Sequence, residues 1–542
     1  MTFKNFYMPA LLFLIGLKLF IVSDIAVHIR FSPIDDSLYV TRAFEFLSGN
    51  GWGNYDAYVL AKLPGMSLWL AGSRLLGIPY LLGLNILYSL AGLLLIKEVA
   101  KLDIHKPILF IAYFIYLFNP ITFSVGWAFV MREALATVIT ITLLAVSLRI
   151  LLSLKNQLPI GSVVAWILLF AFGQILREEE RLLWVYLALF LGSIFLVQGG
   201  LQNRKFPFRF GLLMLVAAIL STSLVSYGVR FYNQKYYGAP FMNDFNEGEF
   251  PKLMATLRSI ESSVDNRLVM LPQEVIKRLI PIIPDFAPVL ERLPDPGLQT
   301  FSCKLQGVCT EWSNGWMPWA VKKAAAEVGR TPTLSEGQNY FKSIRNQVEA
   351  LCASEQLRCR PNGDAMLPPM QLRWFRAYLQ SLVFLIEMTT YPAMAVISND
   401  DMPVNAARSL VEIYQQVTMT NVTQNPKPED ISSEISKLQS QWRAIIAFFV
   451  FHFNGLIILL GSIAIVWRLV MYPSIKVGPL YMICAVFWTY SFVRLLALAY
   501  VAVFFGPFEP RMIFSTHIGL GVLGIFAIWD LFQARKKYYL RR

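Results

Sequence analysis

The sequence predicts an all-α polytopic membrane protein of about ten spans with a mainly helical extracytoplasmic insertion, and three observations carry that expectation. Of 542 residues, 56% are hydrophobic, 14% aromatic and only 15% charged, with a mean hydropathy of +0.51. Such a chain has more apolar surface than one folded core can hide from water. Apolar runs recur near 8–28, 79–96, 107–126, 134–153, 160–176, 182–197, 210–228, 444–470, 478–504 and 512–532, mostly long enough to cross roughly 30 Å of hydrocarbon as helices. One polar stretch, about 229–443, interrupts them. The chain therefore divides into a seven-helix membrane module (1–228), the insertion (229–443), and three further spans with a basic tail (444–542).

The first run follows Lys4 and has no small-residue cleavage site before Asp35, so it reads as a retained anchor. After it come Asp35-Asp36, an amphipathic stretch from Ser37 to Leu47, the turn Gly49-Asn50-Gly51-Trp52-Gly53, and Lys62-Leu63-Pro64-Gly65. Residues 64–77 are expected to lie along the membrane surface, because a crossing there would reverse every later loop. With that choice Lys4, Lys97, Lys101, Lys106, Lys155, Arg204, Lys205, Arg209, Lys476, Arg535, Lys536, Lys537, Arg541 and Arg542 fall on one side, which positive residues mark as cytoplasmic. Both termini are then cytoplasmic, in a cytoplasmic (inner) membrane, and Asp35 faces outward. The net charge of +13 is accounted for by this basic rim against the lipid bilayer, and no nucleic-acid partner is implied.

The insertion reads as helices near 249–264, 272–281, 316–328, 335–354, 370–390 and 404–418, with a Pro-rich break at 281–298. Trp312, Trp316, Trp319 and the apolar run Ser381–Val396 suggest that part of it rests on the bilayer; Glu387 and Pro392 argue against a further span there. Cys303 with Cys309 and Cys352 with Cys359 form two close pairs, which fit short-loop disulfides in an oxidising compartment, while Cys484 sits alone in a span. Asn421-Val422-Thr423 matches a glycosylation acceptor. His28, His452 and His517 lack carboxylate or cysteine partners at ligand spacing, so no metal is assigned.

A carboxylate at the outer interface can accept a proton from a hydroxyl nucleophile. Asp-Asp-Ser before an apolar periodic run is equally an ordinary helix start. Ser32-Pro33-Ile34-Asp35-Asp36-Ser37-Leu38-Tyr39, Gly49-Asn50-Gly51-Trp52 and Lys62-Leu63-Pro64-Gly65-Met66-Ser67-Leu68 resemble the first outer loop of the GT-C glycosyltransferases, integral membrane enzymes that use polyprenyl-linked sugars. The resemblance continues through Met131-Arg132-Glu133-Ala134-Leu135, Leu176-Arg177-Glu178-Glu179 and Phe508-Glu509-Pro510-Arg511-Met512. Leu63 stands where the first proline of the usual pair does, and Met512 where an aromatic is common.

That resemblance implies an inverting transferase moving a sugar from a polyprenyl-phosphate donor to a glycan, lipid or protein acceptor. Asp36 is the expected base, Asp35 its close alternative, Glu133 a carboxylate that positions the acceptor or sugar, and Tyr39 a substrate-binding residue. Lys62, Arg132, Arg177 and Arg511 are the phosphate candidates, since guanidinium suits bidentate contact and lysine a point contact. Arg494, inside a span, is expected in a pocket, because an unpaired charge there is expensive. Glu178-Glu179-Glu180 is expected to be a solvated charged loop, with pairing to Arg177 and Arg181 as the alternative and Glu178 available to substrate. The resemblance firmly implies no cofactor; a divalent cation serves some members and not others. A flippase for a lipid-linked intermediate and a non-enzymatic envelope-assembly protein are the competing readings.

Overall fold

The computed structural model describes residues 7–30, 32–102, 104–153, 159–198, 205–264, 267–293, 299–300, 302–303, 307–360, 367, 370–392, 408–420, 434–473, 477–506 and 509–540. Lys4, Lys155, Arg204, Lys476, Arg541, Arg542, Phe508, Asn421-Val422-Thr423 and the end of the run 381–396 lie outside them. Among the described residues there is no strand, only isolated bridges such as His28 with Phe129.

The first module runs α1 (Tyr7–Val22), α2 (Asp36–Leu47), α3 (Gly65–Leu75), α4 (Tyr80–Val99), α5 (Lys106–Leu117), α6 (Arg132–Ser153), α7 (Ile160–Leu176), α8 (Leu183–Gln198) and α9 (Lys205–Tyr237). The insertion contributes α10 (Glu249–Ser259), α11 (Gln273–Ile282), α12 (Ala287–Arg292), α13 (Met317–Glu327), α14 (Leu334–Ala353), α15 (Phe375–Thr390) and α16 (Arg408–Thr418). The chain closes with α17 (Glu434–Met471), α18 (Pro479–Phe505) and α19 (Phe514–Tyr539). Eight of the described helical segments are long and apolar enough to cross a membrane, and Met8–Val22 and Ile160–Leu176 are shorter apolar helices. These segments correspond to the ten apolar runs.

Two runs are helical over less of their length than their hydropathy implies. After α1, Asp24 pairs with Arg443 and the following residues run beside Ala128 and Phe129. After α5, Pro120 has no N–H to continue the ladder, and the Asn119 side chain accepts from the Ile121 N–H. The 11-residue α3 is too short to cross roughly 30 Å of hydrocarbon as a helix.

Within the bundle α4 packs on α6, and α17 on α19. A Cβ on Gly524 would stand 2.7 Å from the Ile457 carbonyl, so only glycine allows α17 and α19 to approach this closely. Leu212, Leu213, Leu220 and Leu224 are exposed along α9. Such a face is a liability in water and ordinary solvation in lipid.

Phe250, Leu253, Leu257, Leu279, Phe286, Val321, Phe341 and Ile344 give the insertion a second core. Cys303–Cys309 and Cys352–Cys359 are disulfide-bonded, and Cys484 is a buried free thiol. The Pro-rich break contains α12, whose Pro288 occupies the first turn, where its missing N–H costs nothing. The tryptophans do not form a bilayer-facing patch: Trp312 lies in the insertion core, Trp316 packs against it, and Trp319 packs on Phe245 and Tyr58. The ring of Trp319 fills a contact between insertion and first loop instead. In α15, Val383, Phe384 and Ile386 are exposed while Leu385 and Met388 pack against α18. The last insertion helix, α16, lies on α2 and α3.

Candidate functional site

Adjacent carboxylates diverge at the start of α2. Asp36 turns back on its own loop: its Oδ2 accepts from the Arg30 N–H at 2.7 Å and its Oδ1 from the Ser32 N–H at 2.9 Å. Tyr414 of α16 donates to it as well and meets Ser37 Oγ at 3.1 Å. Asp36 is fully buried, and burial pushes its carboxyl above the usual value despite these donors. Asp35 instead faces the charged cluster, 20% exposed, with Lys62 Nζ at 3.4 Å and Arg511 Nη2 at 3.6 Å. Burial works to raise its carboxyl, but Lys62, Arg511, Arg132 and Arg30 together bring it below its ordinary value.

Asp36 thus anchors the loop on which Asp35 stands. An asparagine at 36 offers one oxygen and one amide, so one of the two backbone N–H groups must face a donor. Asp36→Asn is expected to destabilise the protein by about 1–3 kcal/mol, read as a lowered melting temperature in detergent. An unchanged melting point would refute the anchoring role.

Lys62 precedes α3, whose entry is set by a close approach: a Cβ on Gly65 would stand 2.7 Å from the Ile175 carbonyl. The contact brings Lys62 near the end of α7, where Arg177 begins the next loop. Arg42 of α2 donates to the Lys62 carbonyl at 2.9 Å, and the ammonium lies 5.4 Å from the centre of the Trp319 ring.

Opposite charges then interlock across five segments. Arg132 meets Glu178 at 2.6 Å. Arg177 meets Glu179 at 3.3 Å and Glu133 at 3.9 Å. Arg511 lies 3.7 Å from Glu133 and 2.8 Å from Glu509, which Arg30 also grips at 3.0 Å. Arg494 reaches Glu180 and the Tyr490 hydroxyl, each at 3.3 Å. The ring of Tyr39 is 5.6 Å from the Arg132 guanidinium.

The Glu178-Glu179-Glu180 loop is therefore paired and not merely solvated: Arg177 takes Glu179, as the alternative reading had it, and distant arginines take the other two. It is a 3₁₀ turn, in which successive side chains fan out about 120° apart, and each glutamate takes a different arginine. Glu178 is further held by Asn243 at 3.2 Å. Arg494 is buried and paired, beneath the cluster instead of lining its open side. Glu133 Oε2 and the Tyr39 hydroxyl are buried oxygens of this cluster without a hydrogen-bond partner among the described residues.

The structure brings together Asp35, Tyr39, Lys62, Arg132, Glu133, Arg177, Glu178 and Arg511, with Asp36 behind them. Sequence reasoning missed Arg30, Tyr414 and Trp319, and left Glu180 and Glu509 without roles. Arg30 and Glu509 are 479 positions apart, and Tyr414 follows Ser37 by 377, so no local pattern connects them. No group of three or more metal-ligating side chains is found among the described residues, and Asp35 and Glu133 each face a cation.

No protein-family model matches the chain, and no curated protein does. Among solved structures it is similar to the crystal structure of ArnT from Cupriavidus metallidurans bound to undecaprenyl phosphate, at 15% identity over 91% of this chain and 77% of that one, with a TM-score of 0.32.

Proposed function

We propose that this protein is a GT-C-type inverting glycosyltransferase that moves a sugar from a polyprenyl-phosphate donor to a glycan, lipid or protein acceptor at the outer membrane–water interface. The observation that carries the reading is a partly exposed carboxylate, Asp35, within 4 Å of the less exposed Lys62 and Arg511. A proton acceptor and two phosphate-binding cations thus share one site. The end of the bundle opposite the site carries Lys97, Lys101, Lys106, Lys536 and Lys537, which supports a cytoplasmic location for that end.

In this mechanism Lys62 and Arg511 take the donor phosphate. The acceptor oxygen attacks the anomeric carbon through an oxocarbenium-like state, its proton passing to Asp35. The bond from that carbon to the phosphate oxygen breaks, and the electron pair leaves on the phosphate, where the cations stabilise it. Glu133 and Tyr39 orient the sugar or acceptor with their unpaired oxygens. Asp35, and not Asp36, is the base, because Asp36 is occupied by its own loop.

Before the donor binds, the cations hold Asp35 ionised and weakly basic; a phosphate that shares them raises its proton affinity. The folded carboxyl lies below its unfolded value, so its charge is fully present above the ordinary range and is lost only as pH falls through the lowered value. The acid limb of kcat/KM attributable to Asp35 is therefore expected below the ordinary carboxylate range, and that of kcat at higher pH. Coincident limbs would contradict this coupling.

The direct test is transfer of radiolabelled sugar from a panel of polyprenyl-phosphate donors in membranes bearing the wild type, Asp35→Asn or Asp36→Asn. Label reaching an acceptor only when Asp35 is intact supports the reading. Donor binding without consumption by any variant would favour a flippase, although the charged cluster lies at helix ends, away from mid-span.

A further inference from the structure

The buried arginines obey one rule with one exception. Arg42 donates to the Lys62 carbonyl, Arg132 pairs with Glu178, Arg177 with Glu179, Arg443 with Asp24, Arg468 with Asp530 and Arg494 with Glu180. Arg258 is 7% exposed, and its Nε, Nη1 and Nη2 are all buried without a hydrogen-bond partner among the described residues. A guanidinium cannot escape by losing its proton: burial lowers the group, with Tyr500 opposing, only to about 10. An uncompensated buried charge is among the costliest features a fold can retain.

Its place gives the exception meaning. Phe250, Leu253, Met254 and Leu257 form the core stripe of α10, and Arg258 leaves that stripe toward Tyr500 near the end of α18. The insertion is seated on the same helix end, where Asn314 donates to the Phe504 carbonyl at 3.0 Å. Tyr500 packs on the Trp374, Val503 and Phe504 cluster, in which Trp374 Nε1 is another buried donor without a partner. Six residues beyond Tyr500 the chain turns at Gly506 toward Glu509 and Arg511, so this junction continues into the charged cluster.

We infer that Arg258, at the junction of α10 with the end of α18, is an oxyanion subsite that takes a phosphate or carboxylate group of the acceptor. This rests on the proposed transferase only in naming the acceptor. The donor phosphate already has Lys62 and Arg511 beside Asp35, whereas Arg258 belongs to the insertion. Three unengaged guanidinium nitrogens present an edge suited to two oxygens at once, which a single lysine contact cannot reproduce.

The test uses the purified full-length protein in detergent, melted in a zwitterionic buffer and again with inorganic phosphate or acetate. Ligand that binds the folded state raises its melting temperature. Arg258→Met is expected to melt no lower than wild type without oxyanion, since it removes an uncompensated charge, whereas Arg494→Met, which strands Glu180, melts lower. Added phosphate is expected to stabilise the wild type more than Arg258→Met, with the remaining increment lost in Lys62→Met. Acetate acting through Arg258 identifies a carboxylate group, and phosphate alone a phosphoryl group. An equal phosphate increment in wild type and Arg258→Met overturns the subsite, as does a large drop in melting temperature with the increment intact. The melting readout does not depend on turnover, so loss of the phosphate increment in Arg258→Met, together with undiminished transfer by Asp35→Asn in the radiolabel assay, would sink the transferase mechanism and leave the anion subsite standing.

Discussion

Asp35→Asn is expected to lower turnover by about 10²–10⁴-fold, the range for loss of a positioned general base. The same substitution should leave donor affinity unchanged or tighter. Its carboxylate neutralises Lys62 and Arg511 in the free protein, so an amide frees both for phosphate. Loss of kcat with a constant or lower KM is therefore the expected signature, and it separates a base from a residue that merely binds substrate. Asp36→Asn should show the opposite balance, a lower melting temperature with residual chemistry in the folded fraction. Comparable turnover in wild type and well-folded Asp35→Asn would remove Asp35 from the mechanism.

Lys322→Met carries the largest expected stability effect, a loss of about 3–5 kcal/mol for breaking a buried ion pair by removing one partner. Lys322 and Asp244 are 3% and 2% exposed and meet at 2.5 Å, and the Tyr55 hydroxyl donates to the same carboxylate oxygen at 3.2 Å. The Asp244 N–H also donates to the Leu60 carbonyl at 3.1 Å, so this carboxylate joins α13 to the loop before Lys62. Trp319, one turn earlier on α13, is the ring beside the Lys62 ammonium. Breaking the pair should therefore also weaken donor binding, read as a raised KM. Removing both charges with Lys322→Met and Asp244→Leu should recover much of the stability, because no stranded carboxylate remains. A single-variant cost below about 1 kcal/mol would show that the pair does not seat the insertion.

Hydropathy made the apolar helices legible because lipid selects on composition over some twenty residues, a property of contiguous chain. The amphipathic α2 was legible from its own sequence pattern, and α3 only indirectly, from the charge pattern of the later loops. The limits at Asn119-Pro120 and after Val22 were less so, since the second depends on Arg443 reaching Asp24 across 419 positions. The three tryptophans suggested a bilayer contact because their composition suits an interface, yet equally suits a packed junction, and only neighbours distinguish the two.

By itself the sequence determined that this protein is helical and membrane-embedded, where its polar insertion falls, which cysteines lie close enough to pair, and which short segments concentrate charge. Those properties follow from local chemistry. Tertiary structure decided the different surroundings of Asp35 and Asp36, the separate arginine for each of Glu178, Glu179 and Glu180, and the isolation of Arg258. Electrostatic roles depend on which charges approach within a few ångströms in a low-dielectric interior. Here those approaches join segments hundreds of residues apart, so the same residue types carried different meanings until the helices were packed.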